Sequence, residues 1–537
     1  MTVRLIVISG GMASGKTVLA NRLRADHGCR VIKTSDLIRE QMSKIDGDRV
    51  SLQRAGNRLD QKTGCAWIAI KIAEEIHSNH DEMPIVLEGV RKPKQMAEIQ
   101  NAIGHRNVRH VHLSVDCVTQ KERFENSKRH KDIGLCYEEV INDPSERQVD
   151  KLKHQADMVI DTARHTEKDV LCQVSARLNL HSRSSEKLVD VLVGGQYGSE
   201  GKGNIADYLS PDYDVLMRVG GPNAGHKVYE EPPYTHISLP CGTRKSNKSQ
   251  LLIGPGAVIE PHLLLKEIRE CEVEPERLII DEHAVVVSSQ DQQWEKKYLE
   301  PGIGSTAQGV GKATARRVTD RFHDDRGCKL AKDLGQQFRE LKPYISSTVE
   351  RMELAYARGE KILLEGTQGT GLSIFHGDYP SVTSRDTTVS GCISEAGISP
   401  RRVRKIVLVC RTYPIRVGGN SGKFSKEINW KTISERSGIP EDELLKHEVG
   451  SRSSKQRRVG EFDWYMLRRA CHLNSPTDIA LTFVDYLDVR NRDAVRFDQL
   501  SLETIKFVEE VENVGGVPCS LIGNRFDHKC VIDRRRW

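Results

Sequence analysis

Two short stretches of this chain have the residues needed to hold a polyphosphate. Gly10 to Thr17 reads GGMASGKT, a full match to G-x-x-x-x-G-K-[ST]. In such a turn the backbone N–H groups from Gly10 to Gly15 wrap phosphate oxygens. The Lys16 ammonium reaches the β- and γ-phosphates, and the Thr17 hydroxyl can hold Mg2+. A second glycine–lysine turn, GGQYGSEGKG, runs from 194 to 203. It is a looser version: Gly195 lies one residue too early, and Gln196 stands where the strict pattern has glycine.

A phosphate turn works only between a buried strand and a helix, and both turns have that setting. VRLIVIS (3–9) is an apolar strand that leads into the first turn, and an amphipathic stretch follows from Lys16 to about Arg24. Further strands are expected at 30–33, 84–88 and 109–115, with helical patterns between them. That alternation predicts a parallel sheet covered on both faces. Residues 166–179 read as a closing helix, and the polar run 181–187 (HSRSSEK) as a linker. At Leu188 a second strand begins (LVDVLVGG) and runs into the second turn. The expected organisation is thus an α/β P-loop kinase-like domain over 1–180, a linker over 181–187 and a larger α/β domain over 188–537.

The bulk properties fit a globular chain of two or three domains. It has 537 residues, 37% of them hydrophobic, and no apolar run long enough to cross a bilayer. The thirteen cysteines are scattered with no CxxC pair, which argues against a disulfide framework or zinc site and for a reducing cytoplasm. A net charge of +6, from 81 basic and 75 acidic residues, is too balanced to call for direct nucleic-acid binding.

The first half resembles small nucleoside-monophosphate kinases and dephospho-coenzyme-A kinases. Ser35-Asp36 ends the second strand, where that group begins its acceptor site. Arg54 lies in LQRAGNRL, a segment of the acceptor lobe, and Glu88-Gly89-Val90-Arg91 ends a buried strand where such kinases read the acceptor. Lys121, Arg123, Lys128, Arg129 and Lys131 resemble a phosphate-closing lid. Plainer readings stand beside these: Ser35-Asp36 as a helix cap, the basic stretch as a solvated helix face. The acceptor is left open.

The second half resembles the adenylosuccinate synthetase family. After the turn at 194–203 come RVGGPNAGH (218–226), IGSTAQGVG (303–311), EGTQGT (365–370), HGDYPSVTSRDTT (376–388) and RRVG (457–460), in the family's order. The resemblance implies transfer of a γ-phosphate to O6 of a purine monophosphate, then displacement of that phosphate by the amine of L-aspartate. It implies that Gly201, Lys202 and Gly203 cradle the donor phosphates, that the Gly225 carbonyl ligates Mg2+, and that His226 is the acid supporting charge on O6. Asn223, Ser305, Thr306, Gln368 and Thr383 would hold the acceptor nucleotide, with Gln368 also in the catalytic set. Ser453, Ser454, Lys455 and Arg457 would hold aspartate, for which a guanidinium fork is suited. A homodimer is implied as well, with Arg316, Arg317 or Arg321 crossing to the partner.

Two departures bear on substrate. Ser199 stands where the family carries the aspartate that takes the purine N1 proton. A serine there resembles the phage 2-aminoadenylosuccinate synthetases, which act on dGMP, and the shortness of 188–537 is in keeping with that subgroup. The T-K-x-D segment that reads guanine is here TFVD (482–485). Asp485 is kept, and Phe483 offers a ring that can stack on any base, so ATP or dATP is expected as donor, with GTP the alternative. Replaced side chains could also mean a neutral swap, or a dead site. Ordinary conversion of IMP, a tailoring ligase for a purine natural product, and a nucleotide sensor without turnover are the rival functions. Intact Lys16, Thr17, Lys202 and His226 favour turnover.

Overall fold

The computed structural model describes residues 3–42, 49–78, 84–127, 136–141, 144–180, 186–322, 327–450, 455–525 and 530–537. The chain divides into two compact units, Met1–Ser182 and Arg183–Trp537.

The first unit is built on a five-stranded parallel sheet. Its spatial order is Arg30–Lys33, Ile85–Glu88, Leu5–Gly10, Val108–Ser114 and Met158–Asp161. A parallel sheet is buried on both faces, so its strands read as continuous apolar runs, and LIVIS is fully buried. Successive side chains alternate between two cores. Leu5 and Val7 pack with Trp67, Ile68, Ile72, Met96 and Ile99 on one face. Ile6 and Ile8 pack with Leu19, Leu23, Val170 and Val174 on the other. The fifth strand, Met158–Asp161, escaped the sequence reading because its face is only partly buried.

The second unit carries a ten-stranded sheet. From one edge its strands are Ile345–Ser346, Leu278–Asp281, Gln250–Ile253, Val215–Arg218, Ile362–Gly369, Val189–Gly194, Val403–Arg411, Asp478–Thr482, Cys519–Gly523 and Val531–Asp533. All pairings are parallel except the last. Val189–Gly194 lies near the middle, flanked by Ile362–Gly369 and Val403–Arg411. Side chains such as Lys202, His226, Gln368, Arg411 and Phe483 lie on or just beyond the carboxyl ends of these strands, where open parallel sheets form their ligand crevice. None of the thirteen cysteines is in a disulfide. No described helix is long and apolar enough to cross a membrane.

Each unit has its own cores, so each should fold alone. Fragments 1–180 and 188–537, expressed separately, are expected to show single cooperative thermal transitions. An unfolded fragment in isolation would contradict two self-sufficient cores.

Candidate functional site

In the second unit the turn after Val189–Gly194 needs three left-handed residues in close succession: Gly198 (φ +87°), Ser199 (φ +56°) and Gly201 (φ +84°). Helix Lys202–Leu209 then begins. The turn closes around the fully buried carboxylate of Glu200, which accepts from the N–H groups of Gln196 (3.1 Å) and Gly198 (2.8 Å) and pairs with Lys202 Nζ at 2.5 Å. Converging N–H groups and an ammonium at a helix N-terminus are the donor set that an anion site needs, and here they meet the Glu200 carboxylate. There is no room for more: a Cβ on Gly194 would lie 2.4 Å from the Gln368 carbonyl and 2.8 Å from the Glu200 oxygens. Ser199 itself is exposed, and its carbonyl accepts from Arg411 Nη1 at 3.3 Å.

His226 abuts the start of this helix, since a Cβ on Gly203 would lie 3.2 Å from the His226 Cβ. Its Nδ1 is 2.5 Å from Glu365 Oε1. Glu365 is also bonded by Arg218 Nη1 (3.3 Å), the Cys241 N–H (2.8 Å) and the Cys241 thiol (2.8 Å). Burial pushes Glu365 up, but Arg218 and His226 outweigh it and hold the carboxyl well below the usual range. Burial, then Arg218, lower His226 from 6.5 to about 4. The neutral ring therefore donates Nδ1–H to an anionic Glu365 and turns Nε2 away from it, the arrangement of an oriented acid–base. His226, Cys241 and Glu365 place ligand-type atoms within 4.8 Å of one another. Burial keeps Cys241 a thiol that donates to Glu365, and Arg218 supplies the positive charge, so this is a hydrogen-bonded knot and not a metal centre.

The residues expected to hold the acceptor come together around Thr383. Its hydroxyl accepts from Gln368 Nε2 at 2.9 Å and from Asn223 Nδ2 at 3.4 Å. Gln368 adopts a left-handed φ of +66°, and among the described residues its buried Oε1 has no hydrogen-bond partner. Ser305 and Thr306 lie in a loop ordered by the Ser305 hydroxyl, which accepts from the Ala307 N–H at 3.2 Å. The helix that follows is capped by Glu295, which accepts from the N–H groups of Gly309 (2.8 Å), Gly311 (2.6 Å) and Lys312 (3.2 Å). A Cβ on Gly221 would lie 2.9 Å from Val310, which brings this loop beside the Asn223 segment. Arg316 is locked onto Asp291 by two bonds of 2.8 and 2.6 Å, and Arg317 donates to the Pro255 carbonyl at 2.9 Å. Arg321 is exposed.

Ser453 and Ser454 lie outside the described residues. Lys455 is half-exposed, 3.7 Å from Glu300, and Arg457 Nη1 is 2.9 Å from Glu448 Oε2. Phe483, the residue expected at the donor base, is packed under Arg411. It is only 6% exposed, at φ +59°, with the Arg411 guanidinium 4.2 Å over its ring and Tyr486 against it. Its surface goes to packing because a buried arginine needs a flat partner. Asp485 is fully buried. Burial raises it to about 7 against the pull of Arg492, whose Nε is 3.2 Å away, and its Oδ1 has no partner among the described residues.

The first unit has its own site. A cavity of about 930 Å³ is lined by Met12 to Leu19, Lys33 to Asp36, Arg39, Glu88, Arg91, Lys92, Arg123 and His165, among others. Lys16 Nζ donates to the carbonyls of Gly10 (2.8 Å) and Gly11 (2.6 Å), and the Thr17 hydroxyl donates to Glu88 Oε1 at 2.5 Å. Asp36 pairs with Arg39, Arg91 with Glu146, and Arg123 with the hydroxyl and carbonyl of Thr162. On helix Arg49–Thr63 the face lining the cavity is Gln53, Gly56, Asn57 and Asp60, and Arg54, a third of a turn from Gln53, is exposed and not among the lining residues. Lys121 is turned to Glu138 on the surface, while Lys128, Arg129 and Lys131 lie outside the described residues.

The sequence reading missed the carboxylates that hold these cations: Glu200, Glu365 and Glu448. Glu200 and Glu365 sit in quoted motifs and Glu448 in none, and a buried acid is invisible until its partners are placed.

Comparison with known proteins comes to the same unit. The sequence profile of the adenylosuccinate synthetase family matches residues 191–332 and 325–496. The chain is 37% identical over 355 residues to adenylosuccinate synthetase of Methanocaldococcus jannaschii, covering 64% of this chain and 96% of that protein. It is 35% identical over 354 residues to that of Pyrococcus horikoshii, covering 64% and 98%. Because these archaeal enzymes are matched nearly end to end, the shortness of 188–537 does not single out the phage subgroup. Among solved structures, fully ligated adenylosuccinate synthetase of Plasmodium falciparum aligns at TM-score 0.57 and 24% identity, over 65% of this chain and all of that one. Cyanophage S-2L succinoaminodeoxyadenylate synthetase, bound to dGMP and to dATP as an energy donor, aligns at 0.53 and 25%, over 65% and 96%.

The Asp485 geometry generates a pH prediction. Its folded value near 7 lies above the ordinary 3.8, so its contribution to stability is fully present below 3.8 and is lost as pH rises through 7. Between pH 5 and 8 the wild type should therefore lose more melting temperature than Asp485→Asn. Parallel curves would show that Asp485 titrates normally.

Proposed function

The chain belongs to the adenylosuccinate synthetase family, and from that premise we propose that its second unit joins L-aspartate to C6 of a 2-amino-6-oxopurine monophosphate, dGMP. The ligase type follows from the family; the acceptor is our reading. Ser199 carries it. Its side chain is exposed at the phosphate turn, where the family aspartate would crowd the purine edge bearing C2. A 2-amino group needs space and an acceptor of its own, and a serine oxygen supplies both. The phage synthetase of similar fold, bound to dGMP and dATP, supports the same acceptor and an adenine donor. A second reading, IMP as acceptor, draws on the 37% identity to archaeal adenylosuccinate synthetases.

In this reading a donor phosphate oxygen takes the N1 proton in place of the missing aspartate, O6 attacks the donor γ-phosphorus and the bond to the β-phosphate oxygen breaks. The aspartate amine then adds at C6 and phosphate leaves with O6. Lys202 and the N–H groups of the turn stabilise negative charge on the transferring group, once Glu200 gives way to the donor. His226, held by Glu365, presents Nε2 to O6. Its Nε2 carries no proton in the resting tautomer, so it takes one up only as negative charge develops beside it, and the imidazolium so formed would support the charge on O6. Gln368, Asn223 and Thr383 orient the acceptor, and Arg457 and Lys455 receive aspartate carboxylates. The oxygen donors at hand, the Gly225 carbonyl among them, suit a hard cation such as Mg2+, which would neutralise phosphoryl charge. A homodimer completes the reading, with Arg317 or Arg321 as the crossing arginine, because Arg316 is already committed to Asp291.

For the first unit we propose a P-loop nucleotide phosphotransferase. The supporting observation is Lys16, Thr17 and Glu88 together on the wall of one cavity. Lys16→Ala should abolish phosphoryl transfer by this unit and leave aspartate ligation largely intact. Equal loss of ligation would mean that the first site drives both reactions.

The direct test of the ligase is aspartate-dependent phosphate release with dGMP, GMP, IMP and dIMP side by side. We expect dGMP to be preferred, and Ser199→Asp to shift preference toward IMP by roughly ten- to a hundredfold, about 1–3 kcal/mol. The left-handed backbone at 199 tolerates aspartate well, so the variant should fold. Equal turnover of IMP and dGMP, with a ratio unmoved in Ser199→Asp, would refute this role of Ser199.

A further inference from the structure

One buried carboxylate joins three substrate loops of the ligase unit. Glu448 is fully buried. Its Oε1 accepts from Arg411 Nη2 at 2.6 Å and from the Tyr486 hydroxyl at 2.7 Å, and its Oε2 from Arg457 Nη1 at 2.9 Å. Arg411 continues to the phosphate turn by donating to the Ser199 carbonyl, and it lies over the Phe483 ring. Phe483 to Tyr486 is the loop carrying the buried, half-unpartnered Asp485. Arg457 closes the turn that Glu448 opens, since the Glu448 carbonyl accepts from the Arg457 N–H at 2.9 Å and from Gln456 Nε2 at 2.8 Å.

We propose that Glu448 is a positioning residue that couples aspartate binding to binding of the nucleotide donor. The argument rests on the assignment of Arg457 to aspartate made above. A carboxylate of incoming aspartate competes with Glu448 Oε2 for the Arg457 fork. Glu448 then has only Arg411 and Tyr486 to balance its charge. A buried anion with fewer partners holds the remaining ones more strongly. Arg411 and Tyr486 are anchored to the phosphate turn and to the Phe483–Tyr486 loop, so both donor-binding segments are stiffened when aspartate arrives. The two arrangements of Arg457, on Glu448 or on substrate, are the two states that such coupling requires. By linkage the donor must tighten aspartate by the same factor.

The test uses the full chain with dGMP present and adenylyl or guanylyl imidodiphosphate, whichever binds, as an unreactive donor. Calorimetry gives its dissociation constant with and without L-aspartate. In the wild type, aspartate should tighten the analogue by about fivefold or more. In Glu448→Gln, which preserves shape but removes the charge, the factor should fall to near one while circular dichroism stays native. Tyr486→Phe removes one hydroxyl from the same oxygen and should reduce the factor in part, which keeps the test decisive if Glu448→Gln does not fold. No coupling in the wild type, or full coupling in the folded variants, would overturn the proposal. Arg457→Ala separates the two readings: an unchanged KM for aspartate in that variant refutes the assignment of Arg457 itself. A raised KM there, with full coupling in Glu448→Gln, refutes only the role of Glu448.

Discussion

A charge taken out of water must be matched where it lies, and in the ligase unit that constraint places the chemistry. Glu200, Glu365 and Glu448 are each almost wholly buried. Each gathers cations or donors: Lys202 on the first, Arg218 and His226 on the second, Arg411, Arg457 and Tyr486 on the third. Removing one partner of a buried pair costs about 3–5 kcal/mol, because the remaining charge has nowhere to go. The working cations are thus held in place before any substrate arrives. The parallel sheet supplies the strand ends from which these side chains converge, and the glycines of the phosphate turn allow backbone N–H groups to approach Glu200.

Much of the scaffold was legible because it depends on local pattern. The continuous apolar runs at 3–9 and 188–195 gave away two buried strands, and glycine followed by Lys16 or Lys202 marked the turns. Ile85–Glu88 and Val108–Ser114 lie within a residue of the expected 84–88 and 109–115. Met158–Asp161 was missed because MVID is an edge strand of only four residues, too short to show a period. At the site, sequence motifs found His226, Gln368 and Thr383, whose spatial neighbourhood around the 365–388 segment followed. They could not reveal that Phe483 is consumed by Arg411, or that Arg54 falls on the outer face of its helix. Both facts depend on which side of an element meets the rest of the protein. The Glu448 network is more distant still, with one carboxylate bonding residues up to 38 positions away from it on either side.

The two phosphate turns solve the same problem with different resting partners. Lys16 donates to the carbonyls of Gly10 and Gly11. Lys202 is held instead by a full anion, Glu200, inside a buried ring of donors. At the second turn, an anion bound by Lys202 would be a replacement of one charge by another.

That replacement makes Glu200 a built-in competitor. Any anion entering the turn is measured against a tethered carboxylate that is always present, so the observed affinity is a difference between two bound states and falls with the share of time the turn is open. A lone inorganic phosphate gains little by such an exchange. A triphosphate, which brings several contacts at once, can dislodge the carboxylate. The same glutamate that completes the resting fold would therefore favour polyvalent anions over single phosphates at this turn.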